Sequence, residues 1–437
     1  MKLQTISDAA DGELRILFRT RDICGVLLLM LMPFACVIGG EDGWFEETSS
    51  SIHGFYEIRS GYRTRNDPYE KDMSIMEQRL QIDFTSFPSW GDIRVKGDVV
   101  GDLVTEEADF DLREANVFLR PLDYMDLKAG RQILTWGTGD LIFINDLFPK
   151  DWQSFFIGRD DEYLKAPSDA VKAGFFTDMF NLDIVFTPAF DEDRYISGER
   201  LSYWDSNQGR RAGRGDIYNT NTPDRYFQDT EIAARLYRYI EGYEVALYGY
   251  RGFWKSPGGQ TANAQLRFPD LNVYGASLRG EFGEGIGNLE FGYYQSVEDE
   301  GGTDPLVDNS EIRYLAGYSQ ELVKNLTASF QYYVEQMMDY DGYIDNLSSG
   351  PARDEFRHLI TVRLTQLLMN QNLECSLFTY YSPTDKDAHL RPRVNYKVND
   401  NLEVEAGANI FLGDYPNTFF GQMENNTNIY SAVRYSF

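Results

Sequence analysis

From about residue 50 to the last residue, apolar and polar side chains recur with a period of two, and no apolar stretch after residue 40 approaches the ~18 residues of a spanning helix. In QRLQIDFTSF, Leu80, Ile82 and Phe84 share one face while Arg79, Gln81 and Asp83 share the other. In DIRVKGDVV, Ile93, Val95 and Val99 oppose Arg94, Lys96 and Asp98. HLRPRVNYKV and NLEVEAGANI repeat the pattern, with Val394, Tyr396, Leu402 and Val404 against Arg393, Asn395, Glu403 and Glu405. Successive strand side chains point to opposite faces, so each segment predicts a strand wet on one side and apolar on the other. Marking every such segment gives about eighteen strands (16 to 18), starting near residues 53, 74, 92, 111, 126, 169, 181, 230, 243, 271, 288, 311, 325, 355, 372, 387, 401 and 428. Connections after even strands are turn-like, as at 88–92, 241–244, 282–288, 369–372 and 398–401; those after odd strands are mostly long, as at 137–168, 190–228, 254–269 and 339–353. The fold class this predicts is all-β: a transmembrane antiparallel β-barrel with short periplasmic turns, long extracellular loops and both termini on the periplasmic side.

Both ends of the chain fit export to such a site. Arg15, Arg19 and Arg21 precede an apolar run at 23–38, broken by Pro33 and followed by Gly39 and Gly40. That is the order of a signal peptide, expected to span 1–40 and leave the barrel as 41–437; a membrane anchor is the competing reading, but the run is short. At the other end, Ile429, Val433, Tyr435 and Phe437 alternate with Tyr430, Arg434 and Ser436, and the chain stops on Phe437. This resembles the last strand of Gram-negative outer-membrane proteins. The resemblance implies that Tyr435 and Phe437 are read by the barrel-assembly machinery. The expected location is therefore the outer membrane of a Gram-negative bacterium, among its lipid and lipopolysaccharide.

Composition narrows the function. With 69 acidic against 41 basic side chains, a net charge of −28 and a pI near 4.5, the chain lacks the cationic surface a nucleic-acid binder needs. Aromatics at 15% exclude an unfolded acidic chain. Cys24 and Cys36 fall in the signal, leaving Cys375 without a disulfide partner, and His53, His358 and His389 are scattered, so no metal or other cofactor is expected. The DYDGYID segment at 339–345 departs from EF-hand spacing, and GEGIG at 283–287 is a turn with no following helix.

A charge on the lipid face near the midplane costs about 2–4 kcal/mol, so the charged face must be the lumen. Pore-lining candidates are Arg79, Arg94, Lys96, Arg131, Arg235, Arg363, Arg391 and Arg393. The turn at 88–92 sets Arg79 opposite Asp98 and Asp83 opposite Arg94; the turn at 398–401 sets Lys397 opposite Glu403, leaving Arg391 and Arg393 facing Asn409 and Gly407. These two arginines read either as contacts for an anionic or polyhydroxylated solute or as wall charges paired diagonally to Glu405. Strict alternation would turn Arg131 toward lipid, so a bulge near Gly130 is expected to re-aim it. The segment 137–168, with Leu141, Phe143, Leu147, Phe148, Trp152, Phe155 and Phe156, is too apolar for a free loop. It is expected to fold into the barrel as a constriction that presents Lys150, Arg159, Asp160, Asp161 and Lys165; a partner-binding patch at the rim is the other reading. The polar segment 190–228, with Arg210, Arg211 and Arg214, predicts a flexible mouth.

GRQ followed by WG and then a long aromatic, acidic loop, in a barrel of this size, resembles the alginate-export and related porin-like proteins. The resemblance implies a non-enzymatic outer-membrane porin or channel for diffusion of small polar or anionic solutes, saccharides among them. The alternative is a barrel sheath around a periplasmic or surface cytochrome in an electron-transfer complex. A barrel hydrolase would need a Ser, His and acid cluster, for which His358 on the outer face is the one candidate.

Overall fold

The computed structural model describes residues 49–347 and 350–437, preceded by a two-residue strand at Ile16–Leu17. The rest of residues 1–48, and with it the expected signal peptide and its cysteines, lies outside the described residues. Eighteen antiparallel strands close into a barrel. In chain order they are β1 (Ser49–Arg63), β2 (Met73–Phe87), β3 (Asp92–Asp102), β4 (Glu107–Leu122), β5 (Met125–Gln132), β6 (Ser168–Phe176), β7 (Asn181–Thr187), β8 (Glu231–Ile240) and β9 (Tyr243–Phe253). The second half comprises β10 (Asp270–Phe282), β11 (Gly285–Ser296), β12 (Glu311–Val323), β13 (Leu326–Met337), β14 (Phe356–Leu368), β15 (Leu373–Ser382), β16 (Asp387–Lys397), β17 (Leu402–Gly413) and β18 (Asn428–Ser436). Each strand pairs with the next, and β1 closes on β18 from Phe55 opposite Ser436 to Arg63 opposite Asn428. Closure removes every sheet edge, which is why such a sheet survives in hydrocarbon.

The alternation read from sequence is the inside and outside of this wall. Ile82, Val95, Val99, Val394, Tyr396 and Val404 are exposed on the outer face, whereas Arg79, Asp98, Arg391 and Glu405 are buried within. At the short-turn rim, Trp90, Tyr124, Phe180, Tyr239, Phe282, Tyr435 and Phe437 remain exposed, an aromatic girdle suited to the headgroup level. The two-residue turn between β8 and β9 puts Glu241 and Gly242 at φ of 51° and 88°. Both central residues with positive φ are what a two-residue hairpin with the right twist requires.

Two local expectations need correction. Arg79 faces Val100 and Asp83 faces Lys96, a register two residues from the one expected, because the β2–β3 turn closes between Ser86 and Ile93. Long side chains still reach diagonally: Arg79 meets Asp98 at 2.6 Å and Arg94 meets Asp83 at 2.6 Å. At Lys397 and Glu403 the expected register is the observed one. The second correction concerns Arg131. Gly130 stays in register with Asn116 and Ala170, so no bulge forms there. Arg131 keeps the parity of exposed Val171 on the outer side, ion-paired to Asp169 at 3.2 Å, and does not line the lumen. The bulge sits one strand earlier, where Lys96 pairs with Glu114 and Gly97 with Leu112, leaving Arg113 as the extra residue. Arg113 is thereby turned into the lumen, and Arg131 Nε donates to the Leu112 carbonyl beside the disrupted pair, at 2.6 Å.

Candidate functional site: the lumen loop and its vestibule

The loop between β5 and β6 does fold into the barrel. Its apolar positions find no other cover: Ile144, Phe148, Phe155, Phe156, Ile157 and Leu164 are all buried against wall residues such as Tyr294, Tyr380, Phe411 and Tyr430. A short helix, α1 (Trp152–Ile157), forms at its centre. Asp151 caps the start by accepting from Ser154 N at 2.7 Å, and Gly158, at φ 88°, ends it where any Cβ would strike the Tyr430 ring. The remaining backbone polar groups are met by the wall. Asp140 N donates to Gln331 Oε1 at 2.7 Å, Tyr380 Oη donates to the Leu141 carbonyl at 2.8 Å, and Asn428 Nδ2 donates to the Phe156 carbonyl at 3.1 Å. Arg59 Nη1 reaches the Gly158 carbonyl at 2.7 Å, and Arg113 Nη2 reaches the carbonyls of Glu162 and Lys165 at 3.0 and 2.8 Å. The loop thus touches the wall from β11 round to β4.

The charged candidates meet one another across this contact. Asp161 binds Arg391 at 2.8 Å and lies 3.9 Å from Arg393, which also reaches Glu374 at 3.1 Å and Glu405 at 3.9 Å. Arg363 forms a two-pronged pair with Asp140 at 2.6 and 2.8 Å. Arg159 bonds Glu77 at 2.8 Å, Asp160 lies 3.6 Å from Arg434, and Lys96 meets Glu162 at 3.2 Å. Burial alone would raise the Asp161 carboxyl, but Arg391 and Arg393 outweigh it and hold the group below its usual range. Lys150 lines the vestibule but is largely enclosed, bonded to Asp146 at 3.0 Å and to the Phe148 carbonyl at 2.6 Å. Lys165 donates to Thr135 Oγ1 at 2.5 Å. On the wall away from the loop, Arg235 pairs with Glu244.

On the extracellular side of this loop opens a vestibule of about 880 Å³. Its lining is rich in aromatics, with Trp152, Trp254, Tyr294, Tyr380, Phe419 and Phe420. Against these rings lies a charge cluster in which Arg313, 4.0 Å over the Tyr294 ring, meets Glu311 at 2.7 Å, Arg353 meets Glu335 at 3.2 Å, and Arg357 meets Asp385 at 2.6 Å. The segment expected to be a flexible mouth is packed over its first part, where Asp193, Tyr195 and Ile196 line this space, and exposed over much of 214–228. Leu201, Ser202, Tyr203 and Ala212 are buried; Arg200 pairs with Asp102; Ser202 donates to Asp67 at 2.6 Å; and Arg211 meets Glu424 at 3.3 Å. Each of those partners lies on a wall strand or another extracellular loop, so the signal was invisible within the segment itself.

No family model matches the chain, and no curated protein matches it. Solved structures share its architecture. OccK11 (OpdR) of Pseudomonas aeruginosa superposes with a TM-score of 0.53 at 11% identity, covering 91% of this chain and 98% of that one. OccD3 (OpdP) of the same organism gives 0.53 at 11%, covering 89% and 91%, and OccAB3 of Acinetobacter baumannii gives 0.52 at 12%, covering 89% and 99%. The fold is that of a Gram-negative outer-membrane barrel.

Sequence reasoning did not single out Asp140, Asp193 or Arg194, which hold the loop, because each is an ordinary loop charge until its partner, distant in sequence, is known. The histidines have local roles. His358 bonds Tyr332 Oη through Nδ1 at 2.7 Å on the outer face, and His389 is buried on Phe411 with Nε2 at 3.1 Å from Asn409. The 339–345 segment becomes a short helix (Tyr340–Asn346), and no metal-binding cluster occurs among the described residues.

Proposed function

We propose that this barrel is an outer-membrane channel for the diffusion of small polar solutes, with the loop at 137–167 as its constriction. The observation that carries the reading is the course of that loop: it rides on the inner wall from β11 round to β4, so a solute leaving the vestibule for the periplasm must pass it. A preference for anions loses its main support, since Arg363, Arg391 and Arg393 are engaged by Asp140, Glu374 and Asp161. The vestibule still offers aromatic faces beside forked donors, a setting that suits polyhydroxylated solutes. The narrower reading, an alginate exporter, rests on the GRQ and WG resemblance alone. Arg131 of that motif lies on the outer side, and Trp136 packs edge-on against Phe148 at 5.0 Å, at the root of the loop. A cytochrome sheath is disfavoured because a threaded partner would have to displace a loop that the wall binds along its length. Tyr435 and Phe437, exposed beside the closing seam, are the surface we assign to the assembly machinery.

Planar-bilayer recording tests the channel. Wild-type barrel should conduct, and a variant with residues 138–166 replaced by a short Gly/Ser linker should conduct more. Equal conductance would remove the loop as the constriction, and silence from both would remove the channel.

A further inference from the structure

The constriction loop is held on two sides, and only one of them is the wall. On the other, the outer loop at 188–230 reaches down to α1 through three consecutive residues. Arg194 N donates to the Lys150 carbonyl at 2.8 Å, and the Arg194 carbonyl accepts from Trp152 N and Gln153 N at 3.1 and 3.3 Å. Its guanidinium grips Asp111 of β4 with both arms, at 2.7 and 3.0 Å, and touches Asp151, the cap of α1, at 3.2 Å. Beside it, Asp193 accepts from Lys150 N at 2.7 Å, Trp152 Nε1 at 3.1 Å and Ser256 Oγ at 2.8 Å, and Gln153 Nε2 donates to the Tyr195 carbonyl at 2.8 Å.

The outer loop has moorings of its own besides these contacts. Arg200, Ser202 and Arg211 moor it to Asp102, Asp67 and Glu424 at the barrel mouth. It is therefore a fixed strut. What it presents downward is fitted to the start of α1: one side chain joins the helix cap to the wall, while the adjoining carbonyl takes two amide protons that a helix N-terminus leaves without intrahelical acceptors.

We propose that Arg194 is a positioning residue for the constriction: it sets the height and orientation of α1 by bolting the Asp151 cap to Asp111, so that the pore dimension is decided by an extracellular loop as well as by the wall. This rests on the channel reading above. It also predicts that changes in the outer loop alter permeation without touching a solute.

The test uses the full-length barrel refolded in detergent, with Arg194→Ala, Asp151→Asn and the control Arg225→Ala. Asn keeps the cap but loses the charge that Arg194 binds, so Asp151→Asn serves if Arg194→Ala does not fold. Arg225 lies on the same outer loop and pairs with Asp229 at 2.8 Å, four residues on. Both test variants should keep the SDS-resistant band, show several-fold greater open-channel current noise, and exchange the Trp152 and Gln153 amide protons several-fold faster, while Arg225→Ala matches wild type. Unchanged noise and exchange in folded Arg194→Ala and Asp151→Asn would overturn the proposal and leave the wall as the sole anchor. If wild type passes no current but exchange still quickens, the channel reading fails and the positioning role stands.

Discussion

At the scale of single residues, the wall arginines act on the loop before they can act on a solute. Arg391 both bonds Asp161 and lies over the Phe155 ring at 3.9 Å, a planar contact that lysine cannot copy. Removing a charged hydrogen bond of this kind costs about 1.5–3 kcal/mol, here felt as loss of loop anchoring. Asp161 carries the pH dependence. Its carboxyl is held below the usual value of about 3.9, so the anchoring is complete above that pH and is lost only as pH falls through the lower, folded value. With Arg393 alone replaced by Ala, Arg391 still binds Asp161, but one of the two charges that outweigh its burial is gone. Loop release, read as a rise in conductance during acid titration, should then begin at a higher pH than in wild type; an unchanged onset would show that Asp161 does not anchor the loop. At the seam, Gly54 exchanges backbone hydrogen bonds with Phe437 at 3.0 and 3.1 Å, and a Cβ on Gly54 would run into the Gln81 carbonyl and the Phe437 ring. Deleting Phe437 should lower outer-membrane yield while leaving export across the inner membrane intact, measured by fractionation.

At the scale of elements, the bulge in β4 converts a wall position into a loop anchor. Leu112 and Glu114 take consecutive places in the ladder, on opposite faces, and the extra residue between them sends its guanidinium to Glu162 and Lys165. Deleting Arg113 should restore a regular ladder. The barrel should fold, yet the loop should loosen, with amide exchange quickening at 162–165. Failure to fold would mean that the bulge is also needed for strand tilt or closure. Strand positions were legible in the chain because a half-buried strand leaves its period in the residues themselves; every strand start lies within about four residues of its expected place. The β2–β3 register was misread by two residues because it depends on where a turn closes, which the alternation, repeating every two residues, cannot distinguish.

At the scale of the whole molecule, closure dictates behaviour in detergent. With every strand paired on both sides, unfolding in SDS has no edge at which to start, so the unheated protein should migrate apart from the boiled form on a gel. Identical mobility would contradict the barrel. Charge follows the same geometry. The net −28 is carried largely outside the paired wall, and the vestibule adds Asp354 and Glu355 to its acid–arginine cluster. A weak cation preference is therefore expected at low salt. It should fade as the screening length shrinks from about 10 Å at 0.1 M to about 3 Å at 1 M, which reversal potentials measured across that range will check.

The alternation of Leu80, Ile82 and Phe84 with Arg79, Gln81 and Asp83, repeated along the chain, determined by itself that this is a barrel, which face meets lipid and, to within two, how many strands it has. Those properties depend on each residue's solvent and on spacing along one strand, and both are local. The apolar run at 141–156 likewise determined that its loop could not stay in water. Only the tertiary structure decided what the loop does once inside. The matches of Asp161 with Arg391, Asp140 with Arg363 and Arg194 with Asp111 join residues from 83 to 230 positions apart. A charged side chain in a wet lumen has many possible partners, and closure of the barrel, together with the burial of α1, selects among them.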